Sequence, residues 1–328
     1  MKQKILIIIL ILFINSCNQG HSDSADLATA SISVIFDDYQ KFKDRINPIE
    51  ATKGGIFEYN DFISNYISDD YQKDLIKKYN YFLGLLDNID STLLSEADLL
   101  SMKVMKWDCE VKLQGLQNPI VTITSPMYNL PSFELTPLTQ VQSLHLYVAQ
   151  LGAGGSVHPF NTVKDYEDWL SRLDDYIDFL DTSILNMKEG MTKNIVLPKV
   201  LIKKTIVQLD EFIKNPVNDH LFYRPIHSIP EEINQKEQNR LASEYRNIIE
   251  NKLRPKYTEL KQFLTDEYLP ICRTTSGIQA LPNGEETYKY LIKLHTTTNL
   301  TADQIHELGK KEVERILGEM EELSLIHI

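Results

Sequence analysis

The sequence predicts a mainly α-helical protein, a multi-helix domain with little strand. Four long stretches repeat apolar residues at intervals of three and four, which gives each stretch one apolar face. They are residues 70–115, 162–215, 233–268 and 301–320. Helix-start signals agree with this pattern, because Pro198 suits a first turn and Thr301 forms a capping box with Gln304. Residues 118–160 lose the helical period, and only VTIT at 121–124 is typical of a strand.

Composition and net charge argue against one class of function, nucleic-acid binding, but do not identify the function. The chain has 328 residues, of which 42% are hydrophobic and 24% charged, and one helical domain is the simplest account of it. Its formal net charge of -12 argues against binding of nucleic acid, which needs clustered Lys and Arg. Pro255 lies inside the helical stretch 233–268, so we expect a kink or break there.

The N-terminus is typical of an export signal. Lys2 and Lys4 precede an unbroken run of ten apolar residues, 5–14. A membrane-spanning helix takes about 20 residues, so the run fits the apolar core of a signal peptide instead. Residues 14–17, Ile-Asn-Ser-Cys, resemble a bacterial lipobox. That resemblance implies cleavage before Cys17 and acylation of its sulfur and new amine.

These features divide the chain into a signal peptide at 1–16, a small and polar flexible tether at 17–31, and a helical domain at 32–322. The expected partner is the membrane, reached through the lipid on Cys17. The expected location is the cell envelope, with the protein anchored on the periplasmic or outer surface. The alternative is an ordinary signal peptide in which Cys17 is incidental.

Motifs for catalysis or metal binding are incomplete in this chain. LGAGGSV, Leu151 to Val157, lacks the third glycine of a dinucleotide fingerprint and is better explained as a Gly-rich turn. His306-Glu307 begins like the His-Glu-x-x-His of a zinc protease, but Lys310 occupies the place of the second histidine. We therefore assign no catalytic and no metal-ligating residue.

Two cysteines remain beyond the lipobox, Cys109 and Cys272. Neither belongs to a CxxC pair. An exported protein could bridge them, but the spacing does not require a bridge, and we expect two buried free thiols.

The last third of the chain carries a set of motifs that also occur together in a known bacterial family. Members show an Arg, a Gly, Leu-Pro-x-Gly, a Tyr-rich helix, a Thr-Thr pair and a Glu-Ile-His-x-Leu-Gly helix. The matching positions are Arg273, Gly277, Leu281 to Gly284, Tyr288 with Tyr290, Thr296 to Thr298, and Gln304 to Gly309. PFNTVKDYEDWLSRL and MKEGMTKNIVLPKVLIKKTIVQL look like two further segments of the family. With these motifs the chain resembles the bacterial family catalogued as domain of unknown function 885, and the resemblance extends from about Phe36 to Glu322.

This resemblance implies a helical protein similar to the N-terminal half of a thermolysin-type, gluzincin-like zinc peptidase. The family's metal motif, His-Glu-x-x-Pro-Gly-His, lies well downstream of the Ile-His-x-Leu-Gly helix and does not occur in this chain. The resemblance thus implies that the complete protein, of which this chain would be the N-terminal part, binds zinc and a peptide substrate. For this chain itself it implies no cofactor. It makes Arg273, Tyr288, Tyr290 and Thr297 candidates for lining the substrate cleft.

The C-terminal residues 323–328, LSLIHI, interrupt an orderly helical pattern. They match one translation of a transposon-end adapter used to prepare sequencing libraries. We therefore expect a truncated family domain without its catalytic half and without activity of its own. The alternative is a genuine C-terminus and a non-enzymatic helical lipoprotein that acts as a binding or scaffold module.

Overall fold

A computed structural model describes residues 28–121, 133–140 and 143–326 of the chain. The described residues contain no β-strand beyond a single bridge pair between Pro198 and Arg273, so the mainly α prediction is confirmed. The export signal, Cys17 and all of the predicted VTIT strand except Val121 lie outside the described residues.

Most of the helices fall in the four predicted stretches, whereas those at 28–46, 48–53, 144–152 and 284–296 lie outside them. The helices are α1 (28–46), α2 (Pro48–Lys53), α3 (Asp69–Asp87), α4 (Glu96–Leu116), α5 (Leu144–Gly152), α6 (Val163–Thr192), α7 (Lys199–Lys214), α8 (Gln235–Ile248), α9 (Arg254–Phe263), α10 (Gly284–Thr296) and α11 (Ala302–Ile326). Residues 28–31, which the sequence assigned to the tether, belong to α1, because the helix is held by Ile32 and Ile35 in the core. The predicted capping box is present: the Thr301 hydroxyl accepts from the Gln304 N–H at 3.2 Å, and the Gln304 side chain accepts from the Thr301 N–H at 2.8 Å.

Helices α1, α3 and α4 share a separate hydrophobic cluster near the N-terminus. Tyr39 of α1 meets Phe82 of α3 edge to face, with ring centroids 5.0 Å apart. The Tyr39 hydroxyl donates to Asp108 of α4, and burial followed by the Asp108 charge raises the pKa of Tyr39. Lys112 pairs with the same carboxylate at 2.8 Å. A buried tyrosine thus ties α1 to α4.

Helix α6 is the centre of the main core. Twelve of its 30 residues are buried, and they recur at intervals of three and four. Its partners include α8 and α9, which contribute tyrosines that reach across. The Tyr245 hydroxyl donates to the Tyr166 carbonyl at 3.1 Å, and the Tyr257 and Tyr176 hydroxyls lie 3.1 Å apart. These hydroxyls therefore each have a hydrogen-bond partner inside the core, as buried tyrosines usually do.

The chain stays helical through Pro255. A π-helical turn, Ile249–Leu253, joins α8 to α9, and in it the Arg254 N–H donates to the Ile249 carbonyl. Pro255 then occupies the first turn of α9, where its missing N–H is tolerated. The wider π turn thus replaces the expected break, because it absorbs one extra residue before the proline.

Arg172 of α6 is fully buried, and its hydrogen bonds hold α2 and the segment that follows it against α6. Its guanidinium donates to the Tyr59 carbonyl at 3.0 Å, to the Thr52 hydroxyl at 2.7 Å and to Nδ1 of His158 at 3.0 Å. Because Nδ1 of His158 accepts, the ring proton lies on Nε2, which donates to the Asp165 carbonyl at 2.9 Å. Burial lowers the pKa of His158 to about 4, so the imidazole is neutral at physiological pH.

No helix of the described residues is both long and apolar enough to cross a membrane. Cys109 and Cys272 are both buried and free. Burial raises the pKa of each thiol to about 11, which keeps both protonated.

Candidate functional site

Arg273 joins the segment before α7 to the segment that leads to α10. Its Nε donates to the Val196 carbonyl at 2.9 Å, and its Nη1 donates to the carbonyls of Thr275 at 2.9 Å and Gly277 at 2.8 Å. Its own carbonyl accepts from the Lys199 N–H at 2.9 Å. Burial lowers the pKa of the guanidinium. Arg273 therefore organises backbone carbonyls and shapes the start of this region.

The Leu-Pro-Asn-Gly motif forms the turn into α10. Asn283 adopts the left-handed conformation, with φ 58°. Only glycine fits at position 284, because a Cβ there would lie 1.9 Å from the Ile278 carbonyl oxygen. A short helical turn at Ile278–Ala280 therefore packs directly against the first residue of α10.

Helix α10 is fixed to α4 by its buried side. The Tyr290 hydroxyl donates to the Val111 carbonyl at 3.1 Å, and burial, followed by the Asp108 charge, raises the pKa of Tyr290 to about 12. The buried Thr287 hydroxyl lies 3.1 Å from the side-chain oxygen of Asn118. These contacts leave the opposite side of α10 to face outwards.

An open cavity of about 630 Å³ lies between α10, the loop before α11 and α4. Its apolar lining comes from Tyr288, Ile292 and Leu300, and Gln114 of α4 adds an amide. Charged groups surround these residues: Lys289 pairs with Glu285 at 3.1 Å and with Glu286 at 2.8 Å. The volume and the mixed lining are typical of ligand pockets in proteins.

The cavity continues into an exposed apolar face of α11. Leu300 and Asp303 line both the cavity and a shallower groove that reaches Leu308. Every side chain from His306 to Ser324 is exposed. Up to residue 322, the apolar ones are Leu308, Val313, Ile316, Leu317 and Met320. We call the cavity together with this face the α10–α11 surface.

The described residues do not fit a zinc ion. No group of three His, Cys, Asp or Glu side chains that could hold a metal occurs in ranges 28–121, 133–140 and 143–326. Near His306, the Lys310 ammonium donates to the Glu307 carboxylate at 2.7 Å. No catalytic step through zinc can therefore be derived from these side chains.

Of the candidate cleft-lining residues, the structure brings two together. Tyr288 and Tyr290 both line the cavity, and Tyr288 is 39% exposed. Thr297 ends α10 in the left-handed conformation, with φ 56°. Arg273 donates to carbonyls of its own segment and to that of Val196, and it is not a lining residue of the cavity.

Gln114 is the functional candidate that the sequence did not indicate. It lies on α4, far from α10 along the chain, and its side chain accepts from the Lys293 ammonium at 2.9 Å. No periodicity or motif marks it. Only the packing of α10 on α4 brings it to the cavity.

Comparisons with known proteins agree with this architecture. The family model described as "Bacterial protein of unknown function (DUF885)" matches residues 48–325. The fold is similar to that in the crystal structure of a presumed lipoprotein from Colwellia psychrerythraea, with 20% sequence identity and a TM-score of 0.71. That similarity covers 92% of this chain and 51% of the other, so this chain spans about half the length of that lipoprotein. No curated protein matches the chain.

The matched range contains the Arg273 anchor, the Gly284 turn and the helices that carry the α10–α11 surface. The motifs that suggested the resemblance are thus the residues that build this region. The match covers most of the chain, and the chain belongs to the bacterial DUF885 family.

Proposed function

We propose that this chain is the N-terminal helical half of an exported, lipid-anchored, zinc-dependent peptidase-like protein, and that it forms one wall of the substrate cleft. The observation that carries the proposal is the α10–α11 surface: an open cavity that continues into the uncovered apolar face of a 25-residue helix. Contiguous exposed apolar surfaces are typical of interaction sites. The half-length match to a longer structure supports the same proposal.

In this proposal, the N-terminal half binds the peptide substrate and gives the cleft its shape. The Tyr288 hydroxyl and the Gln114 amide can hydrogen-bond to the backbone of an extended peptide, while Ile292 and Leu300 pack against one of its side chains. Tyr290, held by Val111, fixes α10 so that the cavity keeps its form. The hydrolytic groups would come from the His-Glu-x-x-Pro-Gly-His motif, which the family resemblance places downstream of the Ile-His-x-Leu-Gly helix.

The anchor is proposed from the lipobox-like residues at Cys17, and the similarity to a presumed lipoprotein supports it. Two or more acyl chains give stable retention, whereas one binds membranes only marginally. A Cys17→Ala variant should lose incorporation of radiolabelled palmitate. Unchanged labelling in this variant would contradict the anchor.

The proposal is tested by sequencing the genomic DNA past codon 322 and expressing the complete protein. We expect a downstream His-Glu-x-x-Pro-Gly-His, about one bound zinc per complete chain and metal-dependent peptide hydrolysis. The chain given by residues 18–322 should bind no zinc tightly and cleave no peptide. A stop codon at 323 would favour the scaffold module instead.

A matched pair of tyrosine variants then tests the cleft wall. In the complete protein, Tyr288→Ala should raise KM by roughly tenfold, because it removes a hydrogen bond and an apolar contact to substrate. Tyr81→Ala is the control, since Tyr81 is 54% exposed on α3 and lies outside the cavity. Equal kinetics for the two variants would place the substrate elsewhere.

A further inference from the structure

A second recess lies on a different part of the molecule, between the end of α1, residues 62–64 and the start of α3. Its volume is about 340 Å³. Its apolar walls are Phe42 and Ile46 of α1, Phe62, and Tyr71 of α3. We call it the α1–α3 recess. It shares no lining residue with the α10–α11 cavity.

The apolar walls of the recess are held in place before any ligand binds. Phe42 meets Tyr79 edge to face, with centroids 5.5 Å apart and planes at 82°. The Tyr71 hydroxyl donates to the Ile46 carbonyl at 2.9 Å, which fixes the ring across the recess. A preformed apolar pocket loses little conformational entropy on binding.

The rim of the recess is positively charged in a strongly acidic protein. Arg45, Lys77 and Lys78 line it together with one acid, Asp74, whose carboxylate lies 3.6 Å from the Lys77 ammonium. Within the described residues, the Arg45 guanidinium forms no ion pair. Arg45 and the two ammonium groups can therefore bind a carboxylate, sulfonate or phosphate group of a ligand.

We propose that the α1–α3 recess binds an organic anion whose charged group is carried on an apolar body. The anion would pair with Arg45 and Lys78 at the rim, and the body would fill the space between Phe42, Phe62 and Tyr71. Two sources supply this chemistry: a soluble aromatic or aliphatic carboxylate, and an acidic phospholipid of the membrane. This inference does not depend on the peptidase proposal.

The test uses the complete chain reconstituted in nanodiscs of neutral phosphatidylcholine, with 1-naphthoate as the probe. Binding is followed by saturation-transfer NMR, and naphthalene-methanol serves as the uncharged analogue. The variant Arg45→Gln/Lys78→Gln removes the two cations. The control Arg224→Gln/Lys236→Gln removes one exposed Arg and one exposed Lys outside the recess. Thermal unfolding of each variant verifies that the fold is retained.

We expect naphthoate to bind about tenfold or more tightly than naphthalene-methanol, and the recess variant to lose that advantage while the control keeps it. Competition by phosphatidylglycerol placed in the nanodiscs would assign the membrane as the source, and retained naphthoate binding without competition would assign a soluble ligand. Absent naphthoate binding, equal binding of the two probes, or equal loss in both variants would overturn the proposal.

Discussion

Helices α6 and α11 have similar apolar patterns and opposite surroundings. Both are long, at 30 and 25 residues, and both repeat apolar side chains at intervals of three and four. In α6 the repeat is buried, with Trp169, Leu173 and Tyr176 fully enclosed. In α11 the same kind of repeat is exposed, with Leu317 at 53% and Met320 at 60%. A periodic pattern therefore predicts a helix with an apolar face, and burial of that face depends on a partner.

The difference extends to polar groups. In α6, Arg172 is enclosed and its donors end on carbonyls, a hydroxyl and an imidazole of other segments. In α11, Arg315 pairs with Glu312 and Glu319 of its own helix. The first kind of contact ties distant segments together. The second supports one helix locally and is screened by water.

The largest expected effect comes from removing the buried guanidinium. Arg172→Met keeps most of the side-chain length but leaves the carbonyls of Tyr59 and Phe62 and Nδ1 of His158 without a donor. We expect a loss of about 3–5 kcal/mol in the free energy of unfolding, measured in urea. Arg315→Met on α11 is the control and should leave the urea midpoint unchanged. Equal midpoints for the two variants would contradict the distinction between the helices.

The helices and their starts were predictable, because periodicity and capping are local. The capping box at Thr301 is confirmed by the structure. The Arg172 cluster was not predictable, since Thr52, Tyr59 and His158 come from separate segments that only packing brings together. In the candidate site, the family motif was enough to predict Tyr288 and Tyr290 as lining residues. Gln114 could not be predicted, because only the packing of α10 on α4 brings it to the cavity.

The second prediction compares the apolar faces directly. Leu173→Ala should lower the free energy of unfolding by about 2–5 kcal/mol, because it opens a cavity among fully buried residues. Leu317→Ala should change it by less than about 0.5 kcal/mol in this chain. The same urea titration on the complete protein sharpens the comparison. If a catalytic half covers α11, as proposed, Leu317→Ala becomes destabilising there.

The third prediction concerns pH and applies to the packed region only. Burial lowers the pKa of His145, His158 and His220 to about 4. Between the ordinary value of 6.5 and about 4, the unfolded chain therefore binds more protons than the folded chain. Stability is present in full above pH 6.5 and falls as the pH drops through that window. At about pH 5.5 each histidine should cost roughly 1 kcal/mol. Urea midpoints that stay flat between about pH 7.5 and 5.5 would contradict this.

The smallest expected effect comes from adding one methyl group to each helix, by a glycine-to-alanine substitution in α6 and in α11. A Cβ at Gly190 of α6 would lie 2.7 Å from the Ile195 carbonyl oxygen and 2.9 Å from that of Leu135, so Gly190→Ala should cost about 1–3 kcal/mol. A Cβ at Gly318 of α11 meets no described atom within 4 Å. Gly318→Ala should therefore stabilise α11 locally by about 0.5–1 kcal/mol, because alanine is the better helix former. Amide hydrogen exchange along α11 measures this, and the expected result is slower exchange. Faster exchange in this chain would mean that the backbone at Gly318 approaches another surface closely, and α11 would then belong with α6 among the packed helices.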